Sequence, residues 1–302
     1  MNGFSAGAAI GAGFRLIGRE PLAFLAWALA LLLVGVLPTF WAFSQIFGMV
    51  GEIARVMPEG ATDRPPPEFL RLQARMMQVQ PVLLVSSILS FTLVTSAILR
   101  AALGFDEKTF FYFRIGSREM WLTLVSLAIY AFYLVGVFAL LIPVGVVAAI
   151  AAVAKAKALF WLLPVAVIAS FGVGLWALLR VSLAPVMSFS ENTFLLFESW
   201  PLTRGHALKI FGVGLALSLI VLVAEMVLFI GGLVAANAAT PLEQLFGATR
   251  PGEFPDFASL GYGYWAPAAL LLALFWAFAN VLYVAAWAEI YRALRPPPPA
   301  AA

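Results

Sequence analysis

The chain of 302 residues contains no cysteine and a single histidine, His206. The first absence excludes disulfide frameworks, thiolate metal sites and thiol catalysis. The second excludes a metal site built on two histidines of one chain. Charge is scarce as well. Only 11% of the residues are Asp, Glu, Lys or Arg, against about a quarter in a soluble domain. The side chains needed to coat a water-facing surface are therefore missing, which excludes an ordinary soluble enzyme, a disordered chain and a fibrous protein. The sequence holds no Walker loop, zinc-protease motif or nucleophile elbow. No enzymatic activity, cofactor or metal is expected. The formal charge of +3 is spread along the chain without a basic cluster, so nucleic acid is not an expected partner.

What the chain has in abundance is apolar sequence: 63% hydrophobic residues and a mean hydropathy of +1.00. A helix needs about 20 apolar residues to cross a bilayer. Stretches free of charge run over 21–51, 76–99, 120–154, 158–179, 210–242 and 257–288, interrupted only by Glu225 in the fifth. Each accommodates one helix. The third is too long for one straight span and too short for two, so Pro143 and Gly145 are expected to end or bend it. The expected fold is all-α: a polytopic membrane protein of six transmembrane helices with amphipathic interfacial helices, in one membrane domain over 1–302. The first span is too long for a signal peptide and is read as retained. The outer loop 52–68 with Pro65, Pro66 and Pro67 is expected to be extended. The second helix should begin outside the membrane on the line Phe69, Leu72, Met76 and Val79. The Pro-rich tail 296–302 is expected to be disordered.

Lys and Arg divide 11 to 7 between the two sets of loops, and the richer set includes both termini. The positive-inside rule then places the N- and C-termini in the cytoplasm. Trp41, Trp121, Trp161 and the group Tyr262, Tyr264 and Trp265 stand where interfacial anchors belong.

An internal repeat is legible. Phe14-Arg15-Leu16-Ile17-Gly18-Arg19-Glu20 precedes the first span and Phe113-Arg114-Ile115-Gly116-Ser117-Arg118-Glu119 the third. Both read F-R-x-x-x-R-E, and Trp200 to Gly205 holds the divergent third place. The even spans close alike, on Arg100, Arg180 and Arg292. Three units are expected, 4–103, 110–183 and 194–295, each an interfacial helix followed by a helix hairpin, related by rotation about the membrane normal. Arg15, Arg19, Arg114, Arg118 and Arg204 become candidate headgroup contacts. In the first interfacial segment Phe4, Ile10, Phe14 and Ile17 are expected to face lipid, and Gly3, Gly7 and Gly11 to form a small-residue packing line. The third such segment is expected at 191–200, with Thr203 as the N-cap of the fifth span.

Glu225 is the sharpest single feature. It lies about 15 residues beyond Lys209, roughly 22 Å along a helix, and so within the bilayer. An acid at that depth costs about 2.5–3.5 kcal/mol, which predicts that it faces the bundle interior, protonated or paired. Asn280 is the expected partner, on a face of the sixth span with Trp276, Tyr283 and Trp287. Thr123, Ser126, Tyr130 and Tyr133 form a comparable stripe on the third span, and Ser86, Ser87, Ser90, Thr92, Thr95 and Ser96 another on the second. These stripes either line a polar cavity or serve helix packing. Gly172, Gly174, Gly212 and Gly214 read as packing glycines.

Arg180-Val181-Ser182-Leu183-Ala184-Pro185, followed by Glu198-Ser199-Trp200-Pro201-Leu202-Thr203-Arg204-Gly205, resembles the S-W-x-L-T-x-G region of the glycerophosphoryl diester phosphodiesterase membrane-domain family of bacterial inner-membrane proteins. The entry Phe14 to Pro21 is similar too. In that family the six-helix module precedes a soluble phosphodiesterase domain or stands alone. Here the chain reaches its polyproline tail without room for the catalytic domain, so the resemblance implies the membrane module and not hydrolysis. The function expected is a non-enzymatic module that binds membrane lipids or assembles with a membrane-protein partner or a second copy. The alternative is a small-molecule or proton-coupled transporter with a site at Glu225 and Asn280.

Overall fold

The computed structural model describes residues 3–56, 67–105, 110–153, 161–239 and 261–295. Among these the protein is all-α, and six helices are long and apolar enough to cross a membrane: Pro21–Ile46, Phe69–Leu103, Phe110–Ile150, Leu162–Glu191, Ala207–Ala238 and Tyr264–Leu294. The protein is a multi-pass membrane protein. The Pro-rich tail lies outside the described residues. The end of the bundle near Gly3 and Arg295, the first and last described residues, is the proximal end, and the opposite end the distal.

Helix α1 (Ala6–Arg19), over the first segment expected at the interface, is capped by the Ser5 hydroxyl, which accepts from the Ala8 amide. The chain breaks at Glu20 and restarts on Pro21, a residue suited to a first helical position because its missing N–H would be unpaired there anyway. The first span is α2 (Pro21–Ala30), a π-helical turn (Leu31–Val36) and α3 (Leu37–Val56). Pro38 accounts for the turn. It has no N–H for the Val34 carbonyl four residues back, and its ring crowds that carbonyl. The helix widens, so that the Leu37 amide donates to Leu32, five residues back. The Ser86 hydroxyl, on the second span, donates to the released Val34 carbonyl. Such rescue by a neighbouring hydroxyl is what allows proline inside membrane helices.

The remaining helices are α4 (Pro67–Leu103), α5 (Ser117–Val153), α6 (Leu162–Val181), α7 (Ala184–Glu191), α8 (Ser199–Leu202), α9 (Ala207–Ala239) and α10 (Gly261–Leu294). Several boundaries correct the sequence expectations. Helix continues through 52–56, where a loop was expected, and α4 starts at Pro67, so the line Leu72, Met76 and Val79 packs on Ala42 and Met49 of α3. Pro143 and Gly145 do not end α5, which is helical to Val153. The segment 191–200, expected to be the third interfacial one, is helical only at its end, from Ser199, because Asn192 takes a left-handed conformation (φ 54°) that terminates α7 at Glu191. Thr203 is not the N-cap of α9. It is buried, its hydroxyl donates to the Trp200 carbonyl at 3.1 Å, and α9 begins four residues later.

Helix packing runs in a closed circuit, α4 to α5 to α6 to α9 to α10 and back to α4, with the first span lying against both α4 and α10. The short helix α7 packs on α5, α4 and α10, and its Val186, Met187 and Phe189 enter the main core beside Ile98, Leu183 and Ile290. This core fills the proximal half. Within it the Arg100 guanidinium and the Glu119 carboxylate form an ion pair at 2.6 Å, both only 3% exposed. Arg100 also donates to the Tyr112 carbonyl at 3.4 Å. A hydroxyl pair, Thr92 and Thr123 at 2.7 Å, joins α4 to α5 just above. Farther along, no described residue in the most apolar stretches of α5 and α6 is fully buried, and many of their side chains are left to lipid.

Candidate functional site

At the proximal end, α1 lies along α10. Its buried face is Ala9, Ala12, Gly13 and Leu16, not the expected line Gly3, Gly7 and Gly11. A Cβ on Gly13 would stand 2.7 Å from the Leu282 Cα, whereas one on Gly7 would meet nothing within 4 Å. Gly13 is therefore the residue that lets the two backbones approach. Phe4 is also displaced from its expected lipid contact: it is 3% exposed, with the Lys209 ammonium 4.8 Å from its ring centre and bonded to its carbonyl.

The contact leaves a crevice of about 230 Å³ above the buried face, floored by Ala12, Leu16, Ala102 and Ala285 and rimmed by Arg15, Arg19, Glu289 and Arg292. Each guanidinium carries five N–H donors and is held by a bond on its periphery. Arg15 donates to the Ala8 carbonyl and Arg19 to the Ala101 carbonyl at the end of α4, both at 2.9 Å. Arg292 pairs with Glu289 at 2.6 Å. Three cations and one carboxylate line a small space with an apolar floor, and a second carboxylate, Glu20, stands 4.0 Å from the Arg19 Nε. Such a site suits an anionic oxygen group attached to hydrocarbon.

Two of the five candidate headgroup arginines, Arg15 and Arg19, thus come together. Arg292, which the sequence reading noted only as a closing residue, joins them. The i, i+3 spacing of Glu289 and Arg292 was the available signal. Arg118 is used otherwise: it lies 4.3 Å from the centre of the Phe105 ring and donates to the Phe189 and Ser190 carbonyls. The Arg114 carbonyl accepts from Arg100 at 3.5 Å. Arg204 is exposed near the start of α9.

The intramembrane candidates do not assemble. Tyr283 and Ser218 share a hydrogen bond at 2.8 Å, which sets the height of α9 against α10. Glu225 then lies about 10 Å beyond Ser218 along its helix, and Asn280 only about 4.5 Å beyond Tyr283. The expected Glu225–Asn280 pair is not formed. Asn280 donates to the Trp276 carbonyl of its own helix at 2.8 Å. The Glu225 side chain is exposed and makes no hydrogen bond or ion pair among the described residues, against the expectation of an interior position. Tyr130 is 58% exposed. Of the four glycines read as packing residues, Gly214 meets a neighbouring side chain, that of Trp287, at 3.5 Å, while Gly172 and Gly212 face open space.

Compared with models of known protein families, with curated proteins and with solved structures, the chain gives no match.

Proposed function

We propose that the protein is a non-enzymatic module of a bacterial inner membrane that holds an anionic lipid in the crevice between α1 and α10. In this reading the proximal end and both termini are cytoplasmic, and the module is of the kind found in the glycerophosphoryl diester phosphodiesterase membrane-domain family. The observation that carries the reading is the convergence of Arg15, Arg19 and Arg292 on a space floored by Ala12, Leu16, Ala102 and Ala285. The lipid phosphate meets the guanidinium rim and its glycerol and first methylenes meet the alanines. Supporting it are the amphipathic character of α1 and the excess of Lys and Arg on that side of the membrane.

The test is native mass spectrometry of the protein titrated with phosphatidylglycerol. A hydrogen bond to a charged group contributes about 1.5–3 kcal/mol, so Arg15→Gln with Arg292→Gln should weaken binding by at least about tenfold. Raised salt should weaken the wild type toward the variant. Equal binding by the two proteins would reject the site.

A further inference from the structure

A second cavity, of about 480 Å³, opens where the first span, α4 and α10 meet. Its origin lies in the π-helical turn. The bond from Ser86 to the Val34 carbonyl holds the first span to α4, and a Cβ on Gly35 would stand 3.3 Å from the Ser90 Cβ. Around this close contact the helices leave a partly open chamber, whose third wall is Trp276 and Asn280. It runs from Leu31, about 15 Å along the first span from Pro21, to Thr39, about 27 Å along it, with Gln80 on α4 also in its lining.

The lining combines hydrocarbon with unspent hydrogen-bonding capacity. Ser87 and Ser90 donate to carbonyls of their own helix at 2.9 and 3.2 Å, which leaves their oxygen lone pairs as acceptors. Asn280 uses one amide hydrogen on Trp276, leaving its carbonyl and second N–H. The Thr39 and Gln80 side chains make no hydrogen bond among the described residues. Leu31, Leu84 and Phe91 supply the apolar wall, and no described lining residue is charged. An ionised headgroup would be stranded there without a counter-charge. A molecule with only hydrocarbon would leave the amides and hydroxyls unmatched. The volume falls in the range of about 300–1,000 Å³ typical of small-molecule sites.

We propose that this chamber binds an uncharged lipid whose polar groups are hydroxyl and ester carbonyl, the chemistry of diacylglycerol. The lipid hydroxyl donates to the serine oxygens, its carbonyls accept from the Asn280 and Gln80 amides, and its chains lie along the leucine and phenylalanine wall. The site is separate from the arginine crevice and takes a different ligand class.

Dioctanoylglycerol is the probe, with dioctanoyl phosphatidic acid as its charged counterpart, each titrated against the full chain by native mass spectrometry. The wild type should retain one dioctanoylglycerol. Ser87→Phe, which fills the chamber, and Asn280→Leu, which keeps its volume without the amide, should each weaken that adduct at least tenfold while melting cooperatively. Asn280→Gln should retain it, and Arg15→Gln with Arg292→Gln should reduce only phosphatidic acid binding. A wild type that takes up no dioctanoylglycerol overturns the proposal. So does undiminished binding by Ser87→Phe and Asn280→Leu, or loss of the neutral lipid in the arginine variant alone.

Discussion

Arg100 and Glu119 illustrate how much a single pair can decide in a chain with few charges. Both sit in the proximal core at 3% exposure and 2.6 Å apart. Removing one partner of a buried ion pair typically costs 3–5 kcal/mol, because the other charge is left without compensation. Glu119→Ala should therefore lower the melting temperature in detergent by several degrees or more. Arg100→Met combined with Glu119→Leu should recover much of the loss, and a double variant no more stable than Glu119→Ala would contradict that account. Both residues were legible as repeat motif members. Their pairing was not, since counting basic residues treats every Arg near a span end as facing headgroups. Glu225 shows the same limit in reverse. Its depth in the membrane was readable from sequence, but its separation from Asn280 depended on the height of α9 against α10, which a tyrosine–serine bond sets.

In the first span, sequence shows one uninterrupted apolar run, and hydropathy cannot register that six residues within it are π-helical. The cause was nonetheless present in Pro38, and the remedy in the serine stripe of the second span. Ser86→Ala should destabilise the protein by roughly 1 kcal/mol, in the range measured for hydrogen bonds between membrane helices. In a Pro38→Ala background, where an amide can reach the Val34 carbonyl, the same substitution should cost clearly less. A double-mutant cycle on the four proteins, read by thermal or denaturant unfolding, checks this; equal costs in both backgrounds would remove Ser86 as the proline's partner. The existence of six spans was recoverable because each needs only length and apolarity. The interfacial segments were recoverable only in part. Their packing faces follow from close backbone approach at Gly13 and from the left-handed turn at Asn192, neither of which has a periodic signature.

Taken together, the helices form a circuit that is tightly packed proximally and increasingly lipid-clad toward the distal end. The proposed orientation can be read directly, because a chain without cysteine has no background thiol. Trp161→Cys places one thiol at the distal start of α6, and Asn192→Cys places one just beyond α7 at the proximal end. In intact cells a membrane-impermeant maleimide should label the first and leave the second until the membrane is opened. The opposite pattern would invert the topology.

The pairing of the first helix with the last has a bearing on how the protein comes into being. The face of α1 made by Ala9, Ala12, Gly13 and Leu16 has its partner on α10, whose Leu282 is synthesised after nearly the whole chain. Until then, at about 5–20 residues synthesised per second, that face of α1 has no Leu282 to pack against. The hairpins can insert in sequence, yet none of them can complete the proximal core alone. A chain cut before the sixth span would lack the surface that covers this alanine-and-glycine seam.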